Sequence, residues 1–196
     1  MLSSMIYFSC DHSSSNETES IITTDTVISD HYAIKVRQEM QDTSDMERIL
    51  VSAGLVDVQA INPEIRVELK YSTKDNFIGL DMYGDFDQAY LQKDAAVKLD
   101  QAQKLLDDTL PGYHIVVYDA VRPRSVQKIM WDNFDMPLSQ KRKYLAHPDY
   151  ASMHCYGVAV DLSILDENDH PIDMGTEFDS FEELAYPIFE EKMLKS

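Results

Sequence analysis

The sequence predicts an α+β fold, a mixed or antiparallel sheet with helices packed on one side. Three observations lead there. Ile115-Val116-Val117-Tyr118 is a short β-branched and aromatic run of the kind that fills a central strand. Ala95, Leu99, Ala102 and Leu106 recur at helical spacing before Pro111-Gly112. Helical and strand periods then follow one another along the chain without a regular βαβ rhythm.

Taken in order, residues 11–44 are rich in Ser, Thr, Asp and Glu and read as a polar linker, with Tyr32–Val36 able to form a short strand. The folded domain is expected over residues 45–196. Asn62-Pro63 marks a turn. Ile65 to Tyr71 alternates apolar and polar residues, the period of a half-buried strand. Asp94 stands where the N-cap of the next helix belongs. After the 115–118 strand, Pro123 suits a first helical turn, and Val126, Ile129, Met130 and Phe134 form the apolar stripe of that helix. Val158, Val160, Leu162 and Ile164 alternate with Ala159, Asp161 and Ser163, which predicts another half-buried strand before a turn at Asp166–Asp169.

The chain of 196 residues can bury one core of ordinary size. With 17 basic and 35 acidic residues its net charge is −18, a surface that repels phosphate backbones and argues against nucleic acid as a partner. No run approaches the ~18 to 20 apolar residues that span a bilayer. Two cysteines are too few for a disulfide framework. Cys10 ends the apolar stretch Met5-Ile6-Tyr7-Phe8-Ser9 and is followed by a polar tail, an arrangement similar to the end of a bacterial lipoprotein signal. On that reading residues 1–10 are a partial signal and Cys10 carries a lipid anchor in the cell envelope, on the periplasmic side. The alternative is an ordinary N-terminus on a cytoplasmic protein.

The segment with most chemistry is Ser152-Met153-His154-Cys155-Tyr156-Gly157-Val158-Ala159-Val160-Asp161. An imidazole from a loop and a carboxylate from a strand can converge there as two ligands of Zn²⁺. By spacing alone they are more often a hydrogen-bonded pair than two ligands. Cys155, adjacent to His154, points the other way in extended backbone and reads as a small packing residue. Nothing in the spacing of His114, His147 or His170 recommends them as ligands.

Ser152-x-His154-x-x-Gly157-x-Ala159-x-Asp161 resembles, at every defined position, the zinc motif of the D-alanyl-D-alanine dipeptidases, cell-wall enzymes known from vancomycin resistance. Lys70 to Gly79 is similar to that family's Tyr-Ala-Thr-x-Asn-Phe-x-Gly stretch, with Ser72 for Ala. Asp119-Ala120-Val121-Arg122-Pro123 resembles its Asp-x-Tyr-Arg-Pro element, with Val121 for Tyr. Asp173-Met174-Gly175-Thr176-Glu177-Phe178-Asp179 resembles its Met-Gly-x-x-Phe-Asp element. Tyr156 departs from the Arg frequent in the vancomycin-resistance members.

The resemblance implies a Hedgehog/D,D-peptidase-like fold and hydrolysis of D-alanyl-D-alanine, a peptidoglycan dipeptide, with zinc as cofactor. It also implies roles. His154 and Asp161 would be two of three zinc ligands. Arg122 would neutralise the developing oxyanion, against the alternative of a structural ion pair with Asp119. Tyr71 and Asp179 would hold the free amino group of the dipeptide, against the alternative of a core tyrosine at a strand end. Ser152 would orient the substrate or support the metal shell. The family's third ligand and general base come from a late Glu-x-x-His element, and none follows Asp179 in these 196 residues. The expectation is therefore a domain incomplete at its C-terminus, lacking the final helix and strand, with impaired catalysis. A non-catalytic, lipid-anchored binder of cell-wall peptides is the alternative, and a D,D-carboxypeptidase relative is a third reading.

Overall fold

The computed structural model describes residues 43–182 and residue 185. Cys10, the 11–42 part of the linker and the Tyr32–Val36 segment lie outside the described residues. Five helices, α1 (Thr43–Ser52), α2 (Val58–Ile61), α3 (Lys93–Thr109), α4 (Arg124–Asn133) and α5 (Leu138–Tyr144), are interspersed with five strands among these residues. The strands are β1 (Leu55–Asp57), β2 (Arg66–Val67), β3 (Tyr90–Gln92), β4 (His114–Asp119) and β5 (Asp161–Leu165). The architecture is α+β. β4 is central, parallel to β2 and antiparallel to β5, while β1 and β3 form a separate antiparallel pair. None of the described helices is long and apolar enough to cross a membrane.

One core dominates. It gathers Val58, Ile65, Tyr71, Tyr83, Phe86, Leu91, Val117, Val126 and Met130 between the sheets and helices α3 and α4. The opposite face of β4, with Val116 and Tyr118, packs with Leu165 against Phe178 of the following loop rather than against a helix.

Three expectations need correction. The 65–71 strand is shorter than its alternation predicts. β2 covers Arg66–Val67, and the chain then coils into a 3₁₀ turn at Lys70–Ser72. The Asn76 side chain captures the carbonyls of Lys70, Thr73 and Leu80, and that local network outcompetes a longer ladder. The strand after Gly157 starts only at Asp161, and its buried positions are Ser163 and Leu165 rather than Leu162. Residues 158–160 fall outside it. Just before them, the Gly157 carbonyl accepts from Gln92 N at 2.7 Å, an anchor to β3 rather than to β4. α3 begins at Lys93 with Gln92 at its N-cap and no side-chain cap bond, so Asp94 sits in its first turn instead of capping it. Its buried face is Ala96, Leu99 and Gln103, and Ala102 is exposed. Gln103 displaces an apolar residue because its amide reaches out of the helix: Oε1 accepts from Ile115 N at 2.7 Å and Nε2 donates to the Tyr113 carbonyl. It pins the start of β4.

The α4 stripe is as its period predicts. Val126, Ile129, Met130 and Phe134 are all buried, and Pro123 occupies the N-cap. The Asp166 turn also forms, with its carboxylate accepting from the backbone of Asn168 and His170.

Candidate active site

The C-terminal end of β4 carries the site. Asp119 is the last residue of that strand and is fully buried, a position tolerable for a carboxylate only when its lone pairs are filled. They are. Oδ1 accepts from the Tyr83 hydroxyl at 2.6 Å, and Oδ2 accepts from Arg122 Nε at 2.8 Å and Nη2 at 2.5 Å. Burial alone would lower the Arg122 pKa, but the Asp119 carboxylate outweighs it and raises it, so the guanidinium stays charged. Arg122 is 6% exposed, its Cζ sits 5.2 Å from the centre of the Tyr71 ring, and Nη1 donates to Gln127 Oε1 at 3.0 Å. The ion pair with Asp119 weighed from the sequence does form, yet Arg122 still lines the cavity described below.

His154 lies on the 3₁₀ turn Met153–Tyr156, which opens at Ser152 and closes at Gly157 in the left-handed conformation (φ 66°). The Gly157 N–H donates to the His154 carbonyl, and a Cβ at residue 157 would lie 2.9 Å from Leu55 Cδ2, so only glycine suits this bend. On its outer side the turn is tied to the strand end, because Arg122 N donates to the His154 carbonyl at 3.0 Å. The ring is oriented from behind: Nδ1 lies 2.9 Å from the Ala120 carbonyl, the partner that fixes the tautomer with its lone pair on Nε2. That Nε2 stands 3.5 Å from Asp161 Oδ1. Burial works against the imidazolium, but the Asp161 and Asp119 carboxylates together outweigh it and raise the His154 pKa above the ordinary value.

Asp119, His154 and Asp161 converge with ligand atoms within 4.8 Å of one another, a grouping able to hold a metal among the described residues. The fit differs between them. Two ligands at ~2.1 Å from a tetrahedral ion lie ~3.4 Å apart, and the His154 Nε2 to Asp161 Oδ1 separation of 3.5 Å matches this. Asp161 is also accessible, its side chain 34% exposed. Asp119 has three of its four acceptor sites already occupied by Tyr83 and Arg122, which suits it to hold Arg122 and the back of the His154 ring rather than to ligate. His154 and Asp161 fit zinc as a pair of first ligands. His114 lies at the opposite end of β4, His147 packs edge-on against Trp131, and His170 sits in the exposed turn with Asp166, so none joins the group.

Asp179 approaches from the loop after β5 and adopts a positive φ of 58°. It accepts from the Tyr71 hydroxyl at 2.8 Å. Burial pushes its pKa up to about 6, with the Tyr71 hydrogen bond opposing that shift. Tyr71 is buried and its ring is a core residue, so the core alternative weighed from the sequence and the contact with Asp179 hold together. Ser152 follows Ala151, another non-glycine residue at positive φ (53°), and its Oγ lies 3.5 Å from the partly buried Cys155 Sγ.

All six residues singled out from the sequence, Tyr71, Arg122, Ser152, His154, Asp161 and Asp179, line one cavity of about 380 Å³. Its opposite wall is apolar, made by Phe77, Phe134, Leu145 and Phe181. Sequence reasoning missed Tyr83 and Gln127, and it gave Asp119 no role beyond pairing with Arg122. Gln127, fully buried on α4 next to the apolar Val126, was legible as a polar residue on a core face that needed a partner.

Polar groups converging on a concave site, a His/Asp pair at metal-ligand separation and a buried arginine make this cavity a candidate metal site. Residues 51–193 match the M15 peptidase family, described as D-ala-D-ala dipeptidase, and the chain belongs to that family. It is 34% identical over 132 residues to a D-alanyl-D-alanine dipeptidase of Escherichia coli K12, covering 67% of this chain and 64% of that protein. It is 28% identical over 116 residues to a D-alanyl-D-alanine dipeptidase of Synechocystis sp., covering 47% of each. The chain thus spans less than two thirds of the length of these relatives.

Proposed function

We propose that the cavity is the site of a zinc-dependent dipeptidase acting on D-alanyl-D-alanine. The observation that carries this reading is the convergence of all six residues on one cavity, with His154 Nε2 and Asp161 Oδ1 3.5 Å apart beside a buried arginine. Family membership supports the reaction class, and the names of the relatives support the substrate.

His154 and Asp161 would hold the zinc. When bound, zinc supplies a Lewis acid that polarises the scissile carbonyl and brings a water's pKa near neutrality. The chain's own residues do the rest. Arg122, held charged by Asp119, presents its remaining N–H groups toward the cavity, where negative charge develops on the carbonyl oxygen. In a site shielded from water such a fixed donor is worth far more than in solution. Asp179 is ionised at neutral pH and accepts the substrate's ammonium group, with Tyr71 fixing its carboxylate. Peptides extended at the amino end offer no ammonium at that point and leave the buried carboxylate unpaired, which selects for a free amino terminus. Phe77, Phe134 and Phe181 cover the methyl groups and exclude water. Ser152, opening the His154 turn, orients substrate at the rim. The stretch ending at Cys10 supports a location in the cell envelope.

The test is metal content after equilibration with Zn²⁺. Wild type should bind one ion in the site, and His154→Ala and Asp161→Ala should each lose it. Unchanged stoichiometry in both variants would remove the reading.

A further inference from the structure

We infer that Gln127 is a positioning residue that fixes the plane of the Arg122 guanidinium, an inference resting on the oxyanion role proposed for Arg122. The two bonds from Arg122 to Asp119 converge on a single atom: Nε and Nη2 both donate to Oδ2, because Oδ1 is taken by the Tyr83 hydroxyl. An Arg–carboxylate pair normally gains its orientation from two parallel bonds to two oxygens. Here the shared oxygen is a pivot, and the guanidinium can swing about it. The third contact stops the swing. Nη1 donates to Gln127 Oε1 at 3.0 Å, on the far side of the guanidinium from Nε.

Gln127 is itself unable to turn. Its Nε2 donates to the Ala146 carbonyl at 2.8 Å, which fixes the end of the amide that faces Arg122. The side chain is fully buried, and both Gln127 and Ala146 line the same cavity. Three of the five N–H groups of Arg122 are then occupied. One on Nη1 and one on Nη2 remain for the cavity, and Nη2 lies 3.6 Å from Asp161 Oδ2. Gln127 therefore decides where the two free donors aim relative to the metal pair, at the scale where a 1 Å displacement costs on the order of 100-fold.

The test uses the full chain with zinc in three forms: wild type, Gln127→Met, which keeps length but has no acceptor, and Gln127→Glu, which restores an acceptor oxygen. The probes are D-alanyl-D-alanine and its phosphinate analogue, whose tetrahedral anion resembles the developing oxyanion. Gln127→Met should weaken the analogue on the order of 10- to 100-fold while dipeptide affinity and zinc stoichiometry change by less than about threefold. Gln127→Glu should recover most of the loss. Nitrogen-15 spectra provide a second readout: slow-exchanging Arg122 Nη1 signals in wild type should broaden away in Gln127→Met. Unchanged analogue affinity and unchanged Arg122 signals in a folded Gln127→Met would overturn the inference. Failure of wild type to bind the analogue would count against the proposed function instead, and the Arg122 spectra alone would then decide the role of Gln127.

Discussion

Asp119→Asn probes the buried centre on which the rest of the site hangs. The wild-type carboxylate is fully buried and accepts three hydrogen bonds, from Tyr83 at 2.6 Å and from Arg122 at 2.8 and 2.5 Å. An asparagine of the same shape removes the charge and turns an NH₂ toward one of these donors. Arg122, 6% exposed, keeps Gln127 and a distant Asp161 oxygen at 3.6 Å as its remaining polar neighbours. Breaking a buried ion pair from one side costs about 3–5 kcal/mol. For a domain of this size that lowers Tm by roughly 6 to 20 °C. Thermal and urea denaturation followed by circular dichroism would measure it, with the urea slope expected to stay constant. Tyr83→Phe, which deletes one donor to the same carboxylate, should cost about 1–2 kcal/mol. If Asp119→Asn lost no more than Tyr83→Phe, the carboxylate would not be what secures Arg122, and the reasoning about the site would fall.

Other expectations follow from the same geometry. The Asp179 pKa of about 6 stands above the ordinary carboxylate value near 4, so the carboxyl becomes neutral as pH falls through 6. KM for the dipeptide should rise about tenfold per pH unit below that point and be flat from there to about pH 7.5, where the substrate's own ammonium begins to lose its proton, and Asp179→Asn should remove the acid-side dependence. The same raised pKa means that Asp179 favours the folded state more as pH falls from about 6 toward 4, the reverse of a salt-bridged aspartate, and urea midpoints across that window would show it. Tyr71→Phe keeps the core ring and removes the bond to Asp179, so KM should rise on the order of tenfold with a stability loss of about 1 kcal/mol. Gly157→Ala puts a Cβ 2.9 Å from Leu55 Cδ2 at a positive φ, and should cost about 1–3 kcal/mol and weaken zinc binding by displacing His154, as calorimetry would report.

What the sequence made legible was chemistry close along the chain. Ser152, His154, Gly157 and Asp161 belong to one turn and the strand after it, so their convergence is a local matter of a 3₁₀ turn closed by a left-handed glycine. The central strand and the α4 stripe were legible for the same reason, because their periods report burial directly. Long-range polar satisfaction was not. The alternation of Ile65–Tyr71 suggested a strand, but the Asn76 side chain takes three carbonyls and forces a turn, which no periodicity shows. Gln103 occupies a core position because a backbone N–H twelve residues later needs an acceptor. Gln127 and Tyr83 were passed over likewise. Their partners, Arg122 and Asp119, become neighbours only when β4 ends beside α4 and the 83 loop folds across it.

The most direct test is D-alanine release from D-alanyl-D-alanine by the zinc-equilibrated chain, measured beside His154→Ala. The account predicts turnover that disappears with His154. A folded, zinc-loaded chain whose D-alanine release matched that of His154→Ala would contradict it.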